Sequence, residues 1–106
     1  MGEVHYNIAL LADAYGALLT ERQLDFIRDY YDFDLSYAEI AQKHGLARQS
    51  VKDAVAAAQD NLREYEQKLG LVERLGGIRR LLEDAAALSG DDDGLKGKII
   101  EALKLL

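Results

Sequence analysis

Arg48, Gln49, Ser50 and Lys52 follow one another closely in a stretch, Ser36 to Val55, that reads SYAEIAQKHGLARQSVKDAV. These are residue types that touch nucleic acid. Arginine forks onto guanine, and glutamine pairs with the edge of adenine. Serine and lysine reach phosphate oxygens. Lys43 and His44, a few residues earlier, are further candidates for phosphate contact. Carboxylates oppose this chemistry. Asp53 stands among the cations, and Glu39, Asp29, Asp32 and Asp34 lie near in sequence. Across all 106 residues the formal net charge is −6. Net charge does not forbid binding, because screening over about 10 Å leaves the local field at the reading helix in control.

Other chemistries find no support in the residues. There is no cysteine, which excludes disulfides and thiolate metal sites. The two histidines, His5 and His44, are far apart and lack neighbours of metal-ligand type. Asp91, Asp92 and Asp93 lie between glycines and precede a helical segment, where they favour its positive end. They lack the alternating ligands and distant glutamate of a calcium loop. No Ser, His and Asp set has a recognisable context, and no glycine-rich phosphate loop follows a strand. The expectation is a protein that is not an enzyme and needs no cofactor. No basic stretch leads into a long apolar run, and no window approaches the ~18 apolar residues of a spanning helix. The expected location is the cytoplasm.

The elements that must position the cationic cluster are helices. Proline is absent, alanine and leucine are abundant, and 49% of the chain is hydrophobic. No sustained period-2 alternation marks a strand. Ile8, Leu11, Ala12, Tyr15, Leu18 and Leu19 recur at helical steps and predict a helix from about His5 to Leu19, weakened at Gly16. Thr20 with Gln23 makes a capping box for a second helix, carrying Leu24, Phe26, Ile27, Tyr30 and Tyr31 and ending near Phe33. Ser36 with Glu39 makes another, and Gly45 ends that short helix in a left-handed conformation. Ala41 is the small residue where two helices touch, Leu46 plugs the turn, and Ile40 and Val51 pack between them. This ordering is that of a helix-turn-helix.

A long helix follows from Ala47 or Arg48 to Gly70. Val51, Val55, Ala58, Leu62, Tyr65 and Leu69 step by four and three along it, as a coiled-coil seam does. Leu71 to Leu88 continue an apolar stripe, which Gly76-Gly77 is expected to kink or break. Ser89 to Gly94 reads as a loop, and Leu95 to Leu106 as a short amphipathic helix. The expected fold is all-α, a helical bundle with a helix-turn-helix and a long C-terminal helical extension. Its organisation is read as one domain, residues 1–106. A helix-turn-helix core covers about 20–56, and an extension over 57–106 serves dimerisation, since its apolar length exceeds what one small chain can cover.

The run YGALLTERQLDFIRDYYDFDLSYAEIAQKHGLARQSVKDAV, followed by LREYEQKLGLVERL, resembles the YlxM family of small bacterial helix-turn-helix proteins. The likeness rests on Tyr15-Gly16, Leu18 to Gln23, Tyr30-Tyr31, Leu35 to Asp53 and Tyr65 to Gly70, within roughly residues 6–82. The helix-turn-helix is also similar to region 4 of bacterial sigma factors, which reads the −35 promoter element. The resemblance implies a regulatory or accessory protein of the signal recognition particle pathway. It further implies binding to the particle's RNA or to its GTPases, while the sigma-factor likeness implies DNA. The family usually has serine where this chain has Ala47, so a hydroxyl cap and a phosphate contact are missing; Ala56 and Ala57 likewise stand for more polar residues. Two readings follow. In the first, a homodimer binds nucleic acid through Lys43, Arg48, Gln49, Ser50 and Lys52. In the second, the helix-turn-helix is only scaffold, and an acidic surface meets a basic partner such as a signal recognition particle GTPase.

Overall fold

The computed structural model describes residues 7–106, so His5 and Tyr6 of the first predicted helix lie outside the described residues. The chain divides into two compact units, the first ending at Gly70 and the second running from Leu71 to Leu106. Six α-helices and no strand occur among the described residues.

Helix α1 spans Ile8–Tyr15, with the Asn7 side chain accepting the Leu10 N–H at 3.2 Å as its cap. It stops four residues before the predicted end and tightens into a single 3-10 turn, Gly16–Leu18. A Cβ on Gly16 would stand 2.9 Å from the Leu24 side chain, so glycine permits the close approach of the next helix at this point. Leu18, expected on the apolar face, is exposed.

Helix α2 spans Glu21–Tyr31 and begins with the Thr20–Gln23 capping box, both bonds at 3.1 Å. Two consecutive amides, of Asp32 and Phe33, share the Arg28 carbonyl and close the helix two residues before the expected end. Helix α3 spans Tyr37–His44 behind the Ser36–Glu39 capping box. It ends as its glycine predicts. Gly45 adopts φ 66°, and the Leu46 N–H reaches back to the Ala41 carbonyl at 2.9 Å. The Gly45 N–H turns to Gln42, completing a Schellman closure that only a residue at ease with positive φ makes cheaply.

Helix α4 spans Arg48–Leu69 and is the axis of the first unit, packing against α1, α2 and α3. Val51, Val55, Ala58 and Leu62 are buried along it, against Ile8, Leu11 and Tyr15 of α1, Phe26 and Ile27 of α2, and Ile40 and Ala41 of α3. Beyond Leu62 the expected seam is corrected. Glu66, not Tyr65, takes the next buried position, and Leu69 is exposed. A carboxylate is tolerated there because the Tyr15 hydroxyl donates to it at 2.6 Å. Tyr65 lies half-buried beside Tyr15, ring centroids 6.0 Å apart, and donates to the Leu18 carbonyl at 3.3 Å.

The second unit is a pair of helices, α5 over Leu71–Leu88 and α6 over Asp93–Lys104, packed on each other. The expected interruption at Gly76-Gly77 is absent, and α5 runs through both glycines. Neither has a positive φ. Glycine costs a helix interior about 1 kcal/mol relative to alanine but removes no hydrogen bond, so it weakens without breaking. Asp92 caps α6 by accepting the Leu95 N–H at 3.0 Å, which moves its start from Leu95 to Asp93. Of this unit's side chains only Ile99 is buried among the described residues; α5 contributes none.

Candidate nucleic-acid interface

The candidate site is the corner between α3 and α4. Ile40 and Val51 have no solvent-exposed surface, and Ala41 is buried beside them. These contacts seat the start of α4 rigidly on the core. Leu46 is half-buried in the turn. Helix α4 opens without a side-chain cap: Ala47 offers none, and its first turn holds no acidic residue. The first N–H groups of a helix lack intrahelical partners and carry the positive end of its dipole. They therefore lie ready for an anion.

Arg48, Gln49, Ser50 and Lys52 are all exposed on this start. The structure thus brings four of the five predicted contact residues onto one turn of helix. They are not equally available. Gln49 donates its amide to Asp53 at 2.9 Å, one turn along, so a carboxylate shares its exposed face. Arg48 lies near enough to Tyr37 to act on its phenol. Burial and a hydrogen bond with Tyr30 push Tyr37 above the ordinary phenol range, and the Arg48 charge works against them.

Lys43 departs most from expectation. Its Nζ lies 2.9 Å from Asp29 Oδ1, and His44 Nε2 lies 3.1 Å from Asp29 Oδ2. Both residues read as phosphate contacts are therefore tied to one carboxylate of α2. Asp29 itself is 4% exposed and belongs to the core, not to the repelling acidic surface formed in sequence by Asp32 and Asp34. Burial alone would raise its pKa. The hydrogen bonds from Lys43 and His44, with their charges, outweigh that and hold it below the usual carboxyl value. The sequence carries a signal for this. Asp29 stands three residues after Phe26 on the buried stripe of α2, where a carboxylate must find partners. Lys43 and His44 stand in the last turn of α3, where a helix C-terminus favours basic side chains. The His44 ring also packs edge-on against Phe26, centroids 4.9 Å apart.

A second group of residues was not singled out as a site in sequence. Tyr30 and Tyr37 stack at 4.8 Å with their planes 14° apart, and Tyr31 meets Tyr30 edge-on at 5.0 Å. Tyr30 and Tyr31 border an open cleft at the junction of α2 and α3, lined also by Asp34, Leu35, Ser36 and Glu39. Its signal is the spacing of Tyr30 and Tyr37 on either side of a turn, which becomes a pair only when the turn folds back.

A short helix ending on a left-handed glycine, a turn, and a long helix with an open polar start define a helix-turn-helix protein. The family model described as "Putative helix-turn-helix protein, YlxM / p13 like" matches residues 3–99, and the chain belongs to this family, UPF0122. The match extends further at both ends than the motifs within 6–82. A UPF0122 protein of Desulforamulus reducens is 45% identical over 95 residues, covering 89% of this chain and 80% of its own length. One from Symbiobacterium thermophilum is 45% identical over 99 residues, covering 92% of each chain. One from Clostridium perfringens is 35% identical over 106 residues, covering 96% of this chain and 95% of its own. Among the described residues no helix is long and apolar enough to cross a membrane.

Proposed function

We propose that this chain is a cytoplasmic regulatory or accessory protein, not an enzyme, that binds nucleic acid through the first turn of α4. The carrying observation is the uncapped, acid-free start of that helix, with Arg48, Ser50 and Lys52 exposed on a buried helix-turn-helix corner. Arg48 and Lys52 supply the counterion-releasing charges, while Ser50 and the free amides hold phosphate. Gln49 reads a base once its amide leaves Asp53. Lys43 contributes little while Asp29 holds it. The likeness to the YlxM family supports the signal recognition particle pathway as the setting, with the particle's RNA or promoter DNA as the target.

So few cations bind weakly from one copy, and a homodimer doubles them. The second unit supports this assembly. Leu81, Leu88 and Leu105 are 70%, 87% and 88% exposed. Pairing two such faces would remove from water the apolar surface that one α5–α6 pair cannot bury. Sedimentation equilibrium is expected to give twice the 11.8 kDa chain mass at micromolar concentration. A concentration-independent monomer would remove the dimer.

Binding itself is tested by fluorescence anisotropy, with the particle's RNA and with duplex DNA from upstream of the protein's own operon, across salt concentrations. Replacing both Arg48 and Lys52 by alanine is expected to weaken binding at least about tenfold and to lower the salt slope by about 2. Unchanged affinity in that variant, or no binding by the wild type even at low salt, would discard the reading.

A further inference from the structure

The cleft at the α2–α3 junction has a composition opposite to that of the α4 start. Two carboxylates, Asp34 and Glu39, line it together with the rings of Tyr30 and Tyr31, and no lysine or arginine does. Its volume is about 430 Å³, and it is open to solvent, so a long side chain enters without any rearrangement. The walls are fixed in advance. Tyr30 is stacked on Tyr37, and the Tyr31 hydroxyl takes a 2.6 Å hydrogen bond from Gln59 of α4. Glu39 is held by the Ser36 N–H through one oxygen at 3.1 Å. Phe33, 67% exposed, lies beside the cleft in sequence, between Tyr31 and Asp34.

The geometry points to this cleft as a docking site for an arginine side chain presented by an extended, basic polypeptide segment of a partner protein. The fit is one of charge and shape. A guanidinium is planar, stacks on aromatic faces, and forks onto a carboxylate through paired N–H donors. Aromatic rings with carboxylates beside them suit both demands. A nucleic-acid strand would find stacking faces here too, but Asp34 and Glu39 would repel its phosphates. A purely apolar segment would leave the carboxylates desolvated. Because the rings are already held by Tyr37 and Gln59, little side-chain entropy is lost on capture. Phe33 adds an apolar contact for the residue flanking the arginine. This inference stands apart from the nucleic-acid reading and uses none of its residues.

The test is a titration of the full chain with a fluorescein-labelled pentapeptide, Gly-Arg-Gly-Arg-Gly, followed by anisotropy at low salt. The control peptide carries citrulline, the uncharged isostere, in place of arginine. Asp34→Asn is the principal variant. Asp34 has φ 54°, a left-handed conformation that asparagine also tolerates, so the charge is removed without disturbing the loop. Tyr30→Phe serves as a fold control, and Tyr30→Ala removes the stacking face. Saturable binding of the arginine peptide is expected, with no binding of the citrulline peptide. Asp34→Asn should weaken binding at least fivefold, Tyr30→Ala similarly, and Tyr30→Phe less than twofold. An Arg48→Ala, Lys52→Ala variant should bind the peptide as the wild type does. Equal affinity in wild type and Asp34→Asn would overturn the proposal, since attraction would then come from overall acidity. The absence of saturable binding would also overturn it.

Discussion

Phe26→Ala is expected to destabilise the first unit by about 3–5 kcal/mol. Phe26 is 1% exposed at the centre of α2, and its ring is the surface on which the His44 imidazole rests. Removing it deletes most of a phenyl group from a site walled by three helices, and neighbours fixed by α4 can collapse only partly into the void. A unit of this size holds about 4–10 kcal/mol in all, on the usual range per residue. The variant should therefore be marginally folded or unfolded at 37 °C. Urea unfolding followed by far-UV circular dichroism measures the difference directly. A loss under about 1 kcal/mol would mean that Phe26 is not the centre of the core. Because His44 and, through it, Asp29 lean on the same ring, the variant should also lose the order of the α3 terminus that precedes the reading helix.

Asp29→Asn is expected to move stability and nucleic-acid affinity in opposite directions. The Asp29 carboxylate is buried and bonded to both Lys43 and His44. Asparagine keeps its shape and one acceptor but loses the charge. Breaking a fully buried ion pair costs about 3–5 kcal/mol, but Lys43 is 55% exposed and regains water, so about 1–3 kcal/mol is expected here. The pH dependence has a definite sign. The folded pKa of Asp29 lies below its unfolded value, so the unfolded chain binds the proton first as the pH falls. The stabilisation is complete above the ordinary carboxyl range, and it is lost as the pH drops through the folded value. Wild type and Asp29→Asn should differ most near neutrality and converge in acid. A gap that widens in acid would contradict the pairing. Meanwhile Lys43, released from its partner, joins the cations beside α4. The affinity for duplex should rise about two- to fivefold, with the salt slope steeper by about 1. Lower affinity with lower stability would show instead that Asp29 positions the reading helix.

Much of the fold is legible in the residues because its determinants are local. A capping box needs two side chains three residues apart, and both boxes, Thr20–Gln23 and Ser36–Glu39, form as their spacing demands. Gly45 and Gly70 end their helices because a left-handed residue is needed there and glycine adopts it without strain. In α1 and along the α4 seam the departures arise where a distant contact accompanies or outweighs a local preference, whereas α5 stays whole because its glycines remove no hydrogen bond. The close approach of Leu24 to Gly16 accompanies the shortening of α1. Periodicity placed Tyr65 in the seam; the buried partner is Glu66, because the Tyr15 hydroxyl reaches it from α1. Gly76-Gly77 looks like an interruption in isolation, yet α5 passes through it.

The same division holds for the site. From sequence alone come the helix-turn-helix, the family to which the chain belongs, and the cationic run Arg48, Gln49, Ser50 and Lys52 at a helix start. They are matters of residue type and of spacing along one helix, which the chain carries wherever it folds. Tertiary structure alone decides which charges are free to act. Asp29 lies 14 residues from Lys43, and Tyr30 lies on the far side of a turn from Tyr37. Only the packing of α2 on α3 joins them, making one acid the partner of a lysine and a histidine and stacking two rings beside a cleft. Charges and rings interact through distance in space, and no spacing along the chain states that distance until the helices meet.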